Sequence, residues 1–291
     1  MTSLRISSLF PRTPDGYIAF GLGAAACLAS GILLLILIFV FGEAWPALRT
    51  IGVVRFLSDG AWYPTDGAFG LVPMLAASFA LAAGALTIAA PVGVAVAIFR
   101  LHYAPGWMKA PYRGLVLLLA GTPSVVLGLW GLMVLVPLIA RIEPPGASLI
   151  AGILVLALMI VPTVAIASEA ALESVPRSCW SAANALGLGR EAALLNVVLP
   201  AAREGIAGGI LLAGARALGE TMVVLMITGN IVQMPDGLFT PVRALTSNIA
   251  LEMAYATGDH RASLFVSGLA LTLLVFLLSF AAGTGRRRRH A

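Results

Sequence analysis

Two opposite charges lie four residues apart in the otherwise apolar run "GARALGETMVVLM" at residues 214–226. On an α-helix, Arg216 and Glu220 would lie one turn apart on the same face. A guanidinium can bind an oxyanion through two parallel N–H donors, and a carboxylate beside it would hold it in place and keep it from binding the anion too tightly. Thr221 and Asn230 would add neutral hydrogen bonds along the same route. The pattern indicates a path for an anion.

The alternative is an ion pair that only fixes helix packing. At the centre of a membrane-spanning helix each charge costs about 2.5–3.5 kcal/mol, whereas each Leu, Ile or Val contributes about 0.3–0.6 kcal/mol in favour of insertion. Replacing a buried ion pair with apolar side chains is often neutral or stabilising, and Arg before Glu is the weaker order within one helix. Stability alone does not require the pair, so we favour a functional pair that faces a hydrated path or a partner subunit.

Small residues precede the charged pair at every fourth position, namely Gly205, Gly209 and Ala213. This spacing lets two helix backbones approach closely. We therefore expect this helix to pack at the centre of an assembly.

The composition places these residues in a membrane. Of the 291 residues, 60% are hydrophobic and 11% are charged, the mean hydropathy is +0.99, and an ordinary soluble domain carries about 25% charged residues. Windows long enough to cross about 30 Å of hydrocarbon predict an all-α integral membrane protein, whose domain 17–285 holds six transmembrane helices near residues 17–42, 70–99, 114–140, 147–172, 205–232 and 263–285. Four prolines inside these windows predict kinks or local breaks: Pro91, Pro123, Pro137 and Pro162.

The basic residues orient the predicted helices. With both termini in the cytoplasm, twelve Lys and Arg residues lie in cytoplasmic segments and five in outer segments, as the positive-inside rule requires. Residues 1–16, segment 173–204 and the basic tail 286–291 are then cytoplasmic, and segments 43–69 and 233–262 are outside. The formal net charge of +5 therefore needs no nucleic-acid partner, and the tail serves as an anchor or contacts anionic membrane lipid.

Segment 173–204 is too long for a simple turn between helices. Pro176 opens it, Gly187 and Gly189 interrupt it, and Pro200 ends it. This pattern predicts a helix, a break and a second helix. A cytoplasmic pair of helices that exposes apolar residues is typical of a docking surface.

The spacing within this segment resembles the E-A-A motif of permease subunits of bacterial ABC importers, which reads E-A-A, three residues, G, nine residues, I-x-L-P. Here "SAANALG" at residues 181–187 and "VVLP" at residues 197–200 meet that register. The matching residues are Ala182, Ala183, Gly187, Leu199 and Pro200, with Val197 as a conservative change from Ile. Ser181 stands where the family has Glu, so the chain lacks whatever contact that carboxylate makes. The resemblance implies short coupling helices that fit a groove on an ATP-hydrolysing subunit.

The fifth predicted helix indicates which kind of importer permease the chain resembles. "RALGETM" at residues 216–222 and "GN" at residues 229–230 are similar to the fifth-helix signature of the phosphate-specific importer permeases of the PstC type. "TPSVVLGLWGL" at residues 122–132 is similar as well. The resemblance implies the type I ABC importer permease fold, and it associates the positions of Arg216 and Glu220 with phosphate passage.

The resemblance also implies the partners: a second permease subunit of the PstA type, a dimer of ATP-binding subunits and a periplasmic phosphate-binding protein, at a bacterial inner membrane. A P-loop has the form G-x-x-x-x-G-K-[ST], and the only lysine, Lys109, lies in "GWMKAPY" without that frame. We therefore expect no ATPase site and no cofactor in this chain, with ATP bound by the partner subunits.

Three other functions stay open. The same machinery would move another oxyanion, sulfate or molybdate, because guanidinium chemistry alone does not distinguish these anions; the signature at residues 216–222 favours phosphate. An ion-coupled secondary carrier would use Glu220 as a proton site, but it leaves segment 173–204 without a purpose. A membrane scaffold without transport activity would tolerate neutralisation of both charges. The three histidines are scattered, and no metal site is expected.

Overall fold

The computed structural model describes the backbone of residues 14–287 and the side chains of residues 17–280. Within these residues the regular structure is helical apart from a hairpin of two short strands, β1 (Trp62–Tyr63) and β2 (Ala68–Phe69), and an isolated bridge between Gly229 and Val242. The α-helices are α1 (Pro14–Thr50), α2 (Val53–Ser58), α3 (Val72–Ile98), α4 (Gly106–Gly121), α5 (Ser124–Trp130), α6 (Val136–Ala140), α7 (Leu149–Glu173), α8 (Arg177–Ala185), α9 (Arg190–Ala193), α10 (Leu199–Gly219), α11 (Met222–Ile227), α12 (Leu245–Glu252) and α13 (Gly258–Arg287). An irregular segment of residues 228–244 joins α11 to α12. The predicted segments 1–16 and 286–291 lie largely outside the described residues.

Five helical stretches in the described part of the chain are long and apolar enough to cross a membrane, and a bent pair of helices makes a sixth. The straight spans are Tyr17–Thr50, Val72–Tyr103, Leu149–Glu173, Arg190–Gly219 and Gly258–Phe280. The predicted all-α membrane fold is confirmed.

The bent pair lies over the window predicted at residues 114–140, and its bend confirms the break predicted at Pro123. α4 ends at Gly121, α5 begins at Ser124, and the two helices meet at 90°. Thr122 between them is extended, with ψ 127°. The following Pro123 favours this conformation, because its ring disfavours helical backbone angles at the residue before it.

The single helix predicted over residues 205–232 is wrong. α10 ends at Gly219 and α11 begins at Met222, and Glu220 between them is extended, with φ −70° and ψ 129°. The Thr246 hydroxyl donates to the Glu220 carbonyl at 2.8 Å. This bond satisfies an acceptor that the interrupted helix leaves without a helical partner, and it explains why the break is stable.

The predicted end of segment 173–204 at Pro200 is also wrong. α9 continues through the π-helical turn Leu194–Val198 into α10 as one span. The π-helical turn Gly131–Leu135 precedes Pro137 of α6 in the same way. A proline ring clashes with the carbonyl four residues earlier. In both places that carbonyl belongs to the wider π-helical turn, so the helix passes the proline without ending.

α7 is the central helix and packs against α3 and α10. The small residues of α10 face it: a Cβ added at Gly205 would lie 2.6 Å from the Ala171 Cβ, and one at Gly209 would lie 2.4 Å from the Ala167 Cβ. Side chains larger than hydrogen therefore do not fit at these positions unless the helices separate. The small residues therefore join two helices of this chain, and the position of this helix at the centre of an assembly stays a prediction.

Two smaller apolar clusters close the ends of the bundle. One joins the ends of α3 and α7 to segment 173–204 around the buried Leu194 and Val198, and we call this the coupling end. The other joins α1, α2, the β hairpin, α12 and the start of α13 around the buried Phe56, and we call this the far end. The candidate functional residues lie at these two ends and at the break between α10 and α11.

Candidate functional site

The coupling motif forms a helix with a glycine-terminated end. α8 runs to Ala185, and Gly187 has a left-handed φ of +72°. The Leu188 N–H donates to the Ala183 carbonyl at 3.1 Å and the Gly187 N–H donates to the Asn184 carbonyl at 3.0 Å, which are the two bonds of a Schellman motif. A Cβ at Gly187 would meet nothing within 4 Å. The requirement for Gly therefore comes from the backbone conformation and not from space.

One face of this motif is buried and the other is exposed. Ala183 is 1% exposed and seats α8 on the coupling end. Ser181, Ala182 and Gly187 are exposed, and Leu186 is 80% exposed. A large apolar side chain exposed among small residues suits contact with another protein. We call these four exposed residues the docking face.

The second half of the motif lies in the helix that enters α10. Val197 and Leu199 are half-buried and Pro200 is exposed, whereas Val198 between them is fully buried at the coupling end. Val198 packs in the same cluster as Leu194 and Leu172. This half of the motif therefore fixes the helix to the bundle, while the docking face is supplied by the first half.

The π-helical turn Phe99–Tyr103 at the end of α3 contacts both helices of segment 173–204, α8 and α9. The His102 ring lies 5.2 Å from the Trp180 ring of α8, measured between centroids. The Arg190 guanidinium of α9 lies 5.7 Å from the centroid of the Tyr103 ring, a favourable cation–π contact. His102 therefore contacts α8, and the next residue, Tyr103, contacts α9.

An ion pair that sequence analysis missed continues this set of contacts into α7. Arg100 of the same π-helical turn pairs with Glu169, and both side chains are 13% exposed. The Glu173 carboxylate lies 3.8 Å from the same guanidinium. The available signal was a glutamate inside the predicted helix 147–172, because a charge in a membrane segment normally has a partner. Contacts therefore run from α8 and α9 through the end of α3 to the central helix.

Arg216 lies on the exposed side of α10, and its Nη1 donates to Thr163 Oγ1 of α7 at 3.4 Å. No ion pair joins Arg216 to Glu220 within residues 17–280, so the predicted pair is wrong. The physical reason is the break after Gly219, which places Glu220 outside the helix that carries Arg216. Thr163 is a neutral partner, so within residues 17–280 no carboxylate compensates the positive charge of the guanidinium.

Glu220 and Thr221 instead organise the start of α11. Glu220 Oε1 accepts a hydrogen bond from the Val223 N–H at 3.5 Å, and Thr221 Oγ1 donates to the Gly219 carbonyl at 3.3 Å. A carboxylate at a helix N-terminus accepts from an N–H that has no helical partner and opposes the positive end of the helix. These two predicted path residues therefore have local bonding roles at the break.

Asn230 ends the short helix α11 together with Gly229. Both residues have left-handed φ, +84° at Gly229 and +54° at Asn230, and Gly and Asn adopt this conformation more readily than other residues. Asn230 Nδ2 donates to the Leu225 carbonyl at 2.6 Å, while its Oδ1 is buried without a partner. The "GN" signature therefore marks the sharp turn that follows α11.

The chemistry available in the described residues is that of binding and movement. No group of three or more His, Cys, Asp or Glu side chains could hold a metal ion in this part of the chain. Cys27 and Cys179 are free thiols. The features that remain are a docking face, an uncompensated guanidinium beside a hydroxyl, and a bundle that crosses a membrane.

This combination matches a known family of transport proteins. Residues 89–288 match the family described as "Binding-protein-dependent transport system inner membrane component". The chain belongs to this family. The resemblance predicted from the coupling motif and the fifth-helix signature is thereby confirmed.

Related proteins cover most of the chain. The "Phosphate transport system permease protein PstC" of Haemophilus influenzae is 34% identical over 94% of this chain and 92% of its own length. The protein of the same name from Mesorhizobium japonicum is 33% identical over 86% of this chain and 84% of its own length. The "Probable ABC transporter permease protein YqgH" of Bacillus subtilis is 36% identical over 87% of this chain and 84% of its own length.

Solved structures share the architecture. A chain of the bacterial alginate ABC transporter aligns with a TM-score of 0.64 at 15% identity, over 96% of this chain and 98% of its own length. A chain of the MetNI methionine ABC transporter in an inward-facing conformation aligns with a TM-score of 0.58 at 21% identity, over 77% of this chain and 97% of its own length. These likenesses show that the fold is that of a type I ABC importer permease.

Proposed function

We propose that this chain is the membrane-spanning permease subunit of an ATP-driven importer that carries inorganic phosphate across the bacterial cytoplasmic membrane. The observation that carries the proposal is the coupling motif, a glycine-terminated helix with an exposed docking face. Membership of a family of transport-system membrane components supports the permease role. The names of relatives at 33% and 34% identity support phosphate as the cargo.

The proposal includes the other parts of the importer. A second permease subunit of the PstA type completes the membrane pore, a dimer of ATP-binding subunits supplies the energy, and a periplasmic phosphate-binding protein delivers the anion. ATP is bound by the partner subunits, and this chain contributes no ATPase site and no cofactor. Both termini face the cytoplasm, which the excess of basic residues in the predicted cytoplasmic segments supports. Membrane lipid surrounds the chain, and no nucleic acid is involved.

The docking face receives the movement of the ATP-binding subunits. When their dimer closes, the displacement passes through the contact of Trp180 with His102 and that of Arg190 with Tyr103 to the end of α3. The Arg100–Glu169 pair links the end of α3 to the central helix α7. The cavity then switches from inward to outward access, and a binding protein docked on segments 43–69 and 233–262 releases its anion into it.

Arg216 attracts the anion during passage. Its charge is uncompensated, and the Thr163 hydroxyl at 3.4 Å supplies a neutral hydrogen-bonding group beside it. A neutral neighbour leaves the N–H donors of the guanidinium suited to an oxyanion. Glu220 and Thr221 act at the break, where they hold the start of α11, and Asn230 acts at the turn that ends α11.

A reconstituted transport assay tests the function. The native assembled complex in proteoliposomes should take up labelled phosphate only with ATP and with the binding protein, and an excess of sulfate or molybdate should not compete. Uptake of sulfate without phosphate would keep the importer and contradict the cargo. Phosphate uptake that needs no ATP-binding subunit and stops with an uncoupler would contradict the importer and favour a secondary carrier.

A further inference from the structure

A network of buried polar side chains lies at the far end of the bundle. Glu252, the last residue of α12, is its centre and is 7% exposed. Glu252 Oε2 accepts the Trp62 Nε1–H at 2.8 Å and bonds to His260 Nε2 at 2.8 Å, and Oε1 accepts the Arg243 Nη1–H at 2.7 Å. The β hairpin, the start of α13 and the segment before α12 thus meet on one carboxylate.

Arg243 connects this carboxylate to the turn after α11. Its Nε donates to the Asn230 carbonyl at 2.8 Å, and its Nη1 also donates to Asn248 Oδ1 at 3.1 Å. Asn230 has left-handed φ, a conformation that persists in a residue with a side chain only where its surroundings hold it. The guanidinium therefore fixes the end of α11 to the Glu252 network.

Two buried polar atoms of the network, one donor and one acceptor, make no hydrogen bond among the described residues. Asn248 Nδ2 and Asn230 Oδ1 are both buried without a hydrogen-bond partner among residues 17–280, although most buried polar groups in proteins are satisfied. Both belong to residues that Arg243 already contacts.

The Trp62 bond is the longest connection in sequence, since it joins residues 190 positions apart. Trp62 is 4% exposed and its ring also packs on the Phe69 ring, 5.6 Å away between centroids. The Arg243–Glu252 ion pair of this network is not required for stability, because apolar side chains of similar volume can replace a buried pair without loss. The geometry of its bonds, however, fixes which groups can move together.

We infer that Arg243 and Glu252 are positioning residues that tie the turn at Asn230 to the β hairpin, so that a protein docked at the far end sets the position of the short helix α11. The inference rests on the proposed function, because the docked protein is the phosphate-binding protein. Neither Arg243 nor Glu252 needs to touch phosphate.

The first test is Arg243→Lys in the complete reconstituted complex. Lysine keeps the positive charge against Glu252, but a single ammonium cannot reproduce donation from two separate nitrogens to Asn230 and Glu252. We expect normal assembly, an unchanged KM for the phosphate-loaded binding protein, and a maximal uptake rate lowered about tenfold, the effect of one lost hydrogen bond to a charged group. A native maximal rate in this variant would overturn the inference, because charge balance alone would then suffice.

The second test follows the connection from the hairpin. Trp62→Phe removes the indole N–H and keeps an aromatic ring, and Trp45→Phe removes the same atoms from a tryptophan that is 42% exposed at the same end. We expect uptake about threefold lower for Trp62→Phe and native uptake for Trp45→Phe. Added to Arg243→Lys, the Trp62→Phe change should lower uptake no further, because both act on one connection. Independent, multiplying effects would overturn the inference.

Amide hydrogen exchange separates this inference from the proposed function. In the purified chain, exchange at residues 228–231 should be faster in Trp62→Phe than in the native protein and unchanged in Trp45→Phe, because the turn loses its fixed support. This readout needs no transported anion. A native complex without phosphate uptake would contradict the function alone, whereas equal exchange in all three proteins would contradict the connection.

Discussion

Each end of the bundle carries a largely buried arginine paired with a glutamate, and the two pairs differ in their surroundings. At the coupling end Arg100 pairs with Glu169, and its Nε has no hydrogen-bond partner among the described residues. At the far end Arg243 donates from two nitrogens to three acceptors, and Glu252 bonds to three partners. The far end therefore has a branched network of short hydrogen bonds, and the coupling end has one close ion pair, with a second carboxylate at 3.8 Å, beside aromatic and apolar contacts.

The difference matches what the two ends are proposed to do. A segment that follows the movement of an ATP-binding subunit benefits from contacts that slide, such as rings and alkyl groups, because apolar contacts are non-directional whereas hydrogen bonds require a narrow range of angles. A segment that sets the position of α11 benefits from bonds with one geometry. We therefore expect substitutions at the far end to affect stability more, and substitutions at the coupling end to affect the use of ATP more.

Neutralising the glutamate of each pair compares the two ends directly. Glu252→Gln should lower the free energy of unfolding by about 3 kcal/mol, because it leaves a buried guanidinium without its counter-ion. Glu169→Gln should lower it by only about 1 kcal/mol, since the Glu173 carboxylate lies 3.8 Å from Arg100 and can replace the lost charge. Thermal unfolding of the two variants in one detergent measures the order. Equal losses would show that the branched network adds nothing to the far end.

A bulky residue at Gly187 tests the docking face. Gly187→Arg should lower ATP-driven uptake more than about tenfold, because an L-residue with left-handed backbone angles costs roughly 1–2 kcal/mol and the side chain stands on the docking face. Gly189→Arg is the matched control, since Gly189 has an ordinary φ of −63° and open space around it. Uptake and complex assembly should be measured together. Native uptake in assembled Gly187→Arg protein would remove the docking role.

Restoring the carboxylate of the E-A-A motif should have the smallest effect. Ser181→Glu should raise the phosphate transported per ATP by up to about twofold, the size of a single exposed charge contact. Ser178→Glu adds the same charge one turn earlier on α8, at another exposed serine, and should change nothing. The ratio of uptake to ATP hydrolysis measures the effect. Equal gains in both variants would assign the effect to net charge instead of position.

The coupling segment was predictable because its signal is local. The motif occupies residues 181–200, and the left-handed turn at Gly187 is closed by bonds that span no more than five residues. The membrane helices were also predictable from the sequence, since long apolar windows indicate them regardless of tertiary contacts. The second half of the motif was harder, because the π-helical turn that lets the helix pass Pro200 has no residue signature.

The break and the network depend on residues that are distant in sequence. The helix breaks at Glu220, whose carbonyl accepts a hydrogen bond from Thr246, 26 positions later in the sequence. Neither "GET" nor the apolar run around it predicts this break. The Glu252 network joins segments 43–69 and 233–262. The sequence placed both segments outside the membrane but did not predict a contact between them. Arg216 was predicted to pair with Glu220, whereas its partner in the structure, Thr163, lies 53 positions earlier.

We propose that Arg216, which lies beside Thr163 and has no carboxylate partner among the described residues, acts on the anion as it crosses. ATP-dependent uptake of labelled phosphate by the assembled complex tests it most directly, with Arg216→Ala compared against Arg203→Ala, an exposed arginine of the same helix. We predict that Arg216→Ala lowers uptake more than about tenfold with assembly intact, while Arg203→Ala keeps most of it. Unimpaired phosphate uptake by Arg216→Ala would contradict the account and make Arg216 a packing residue.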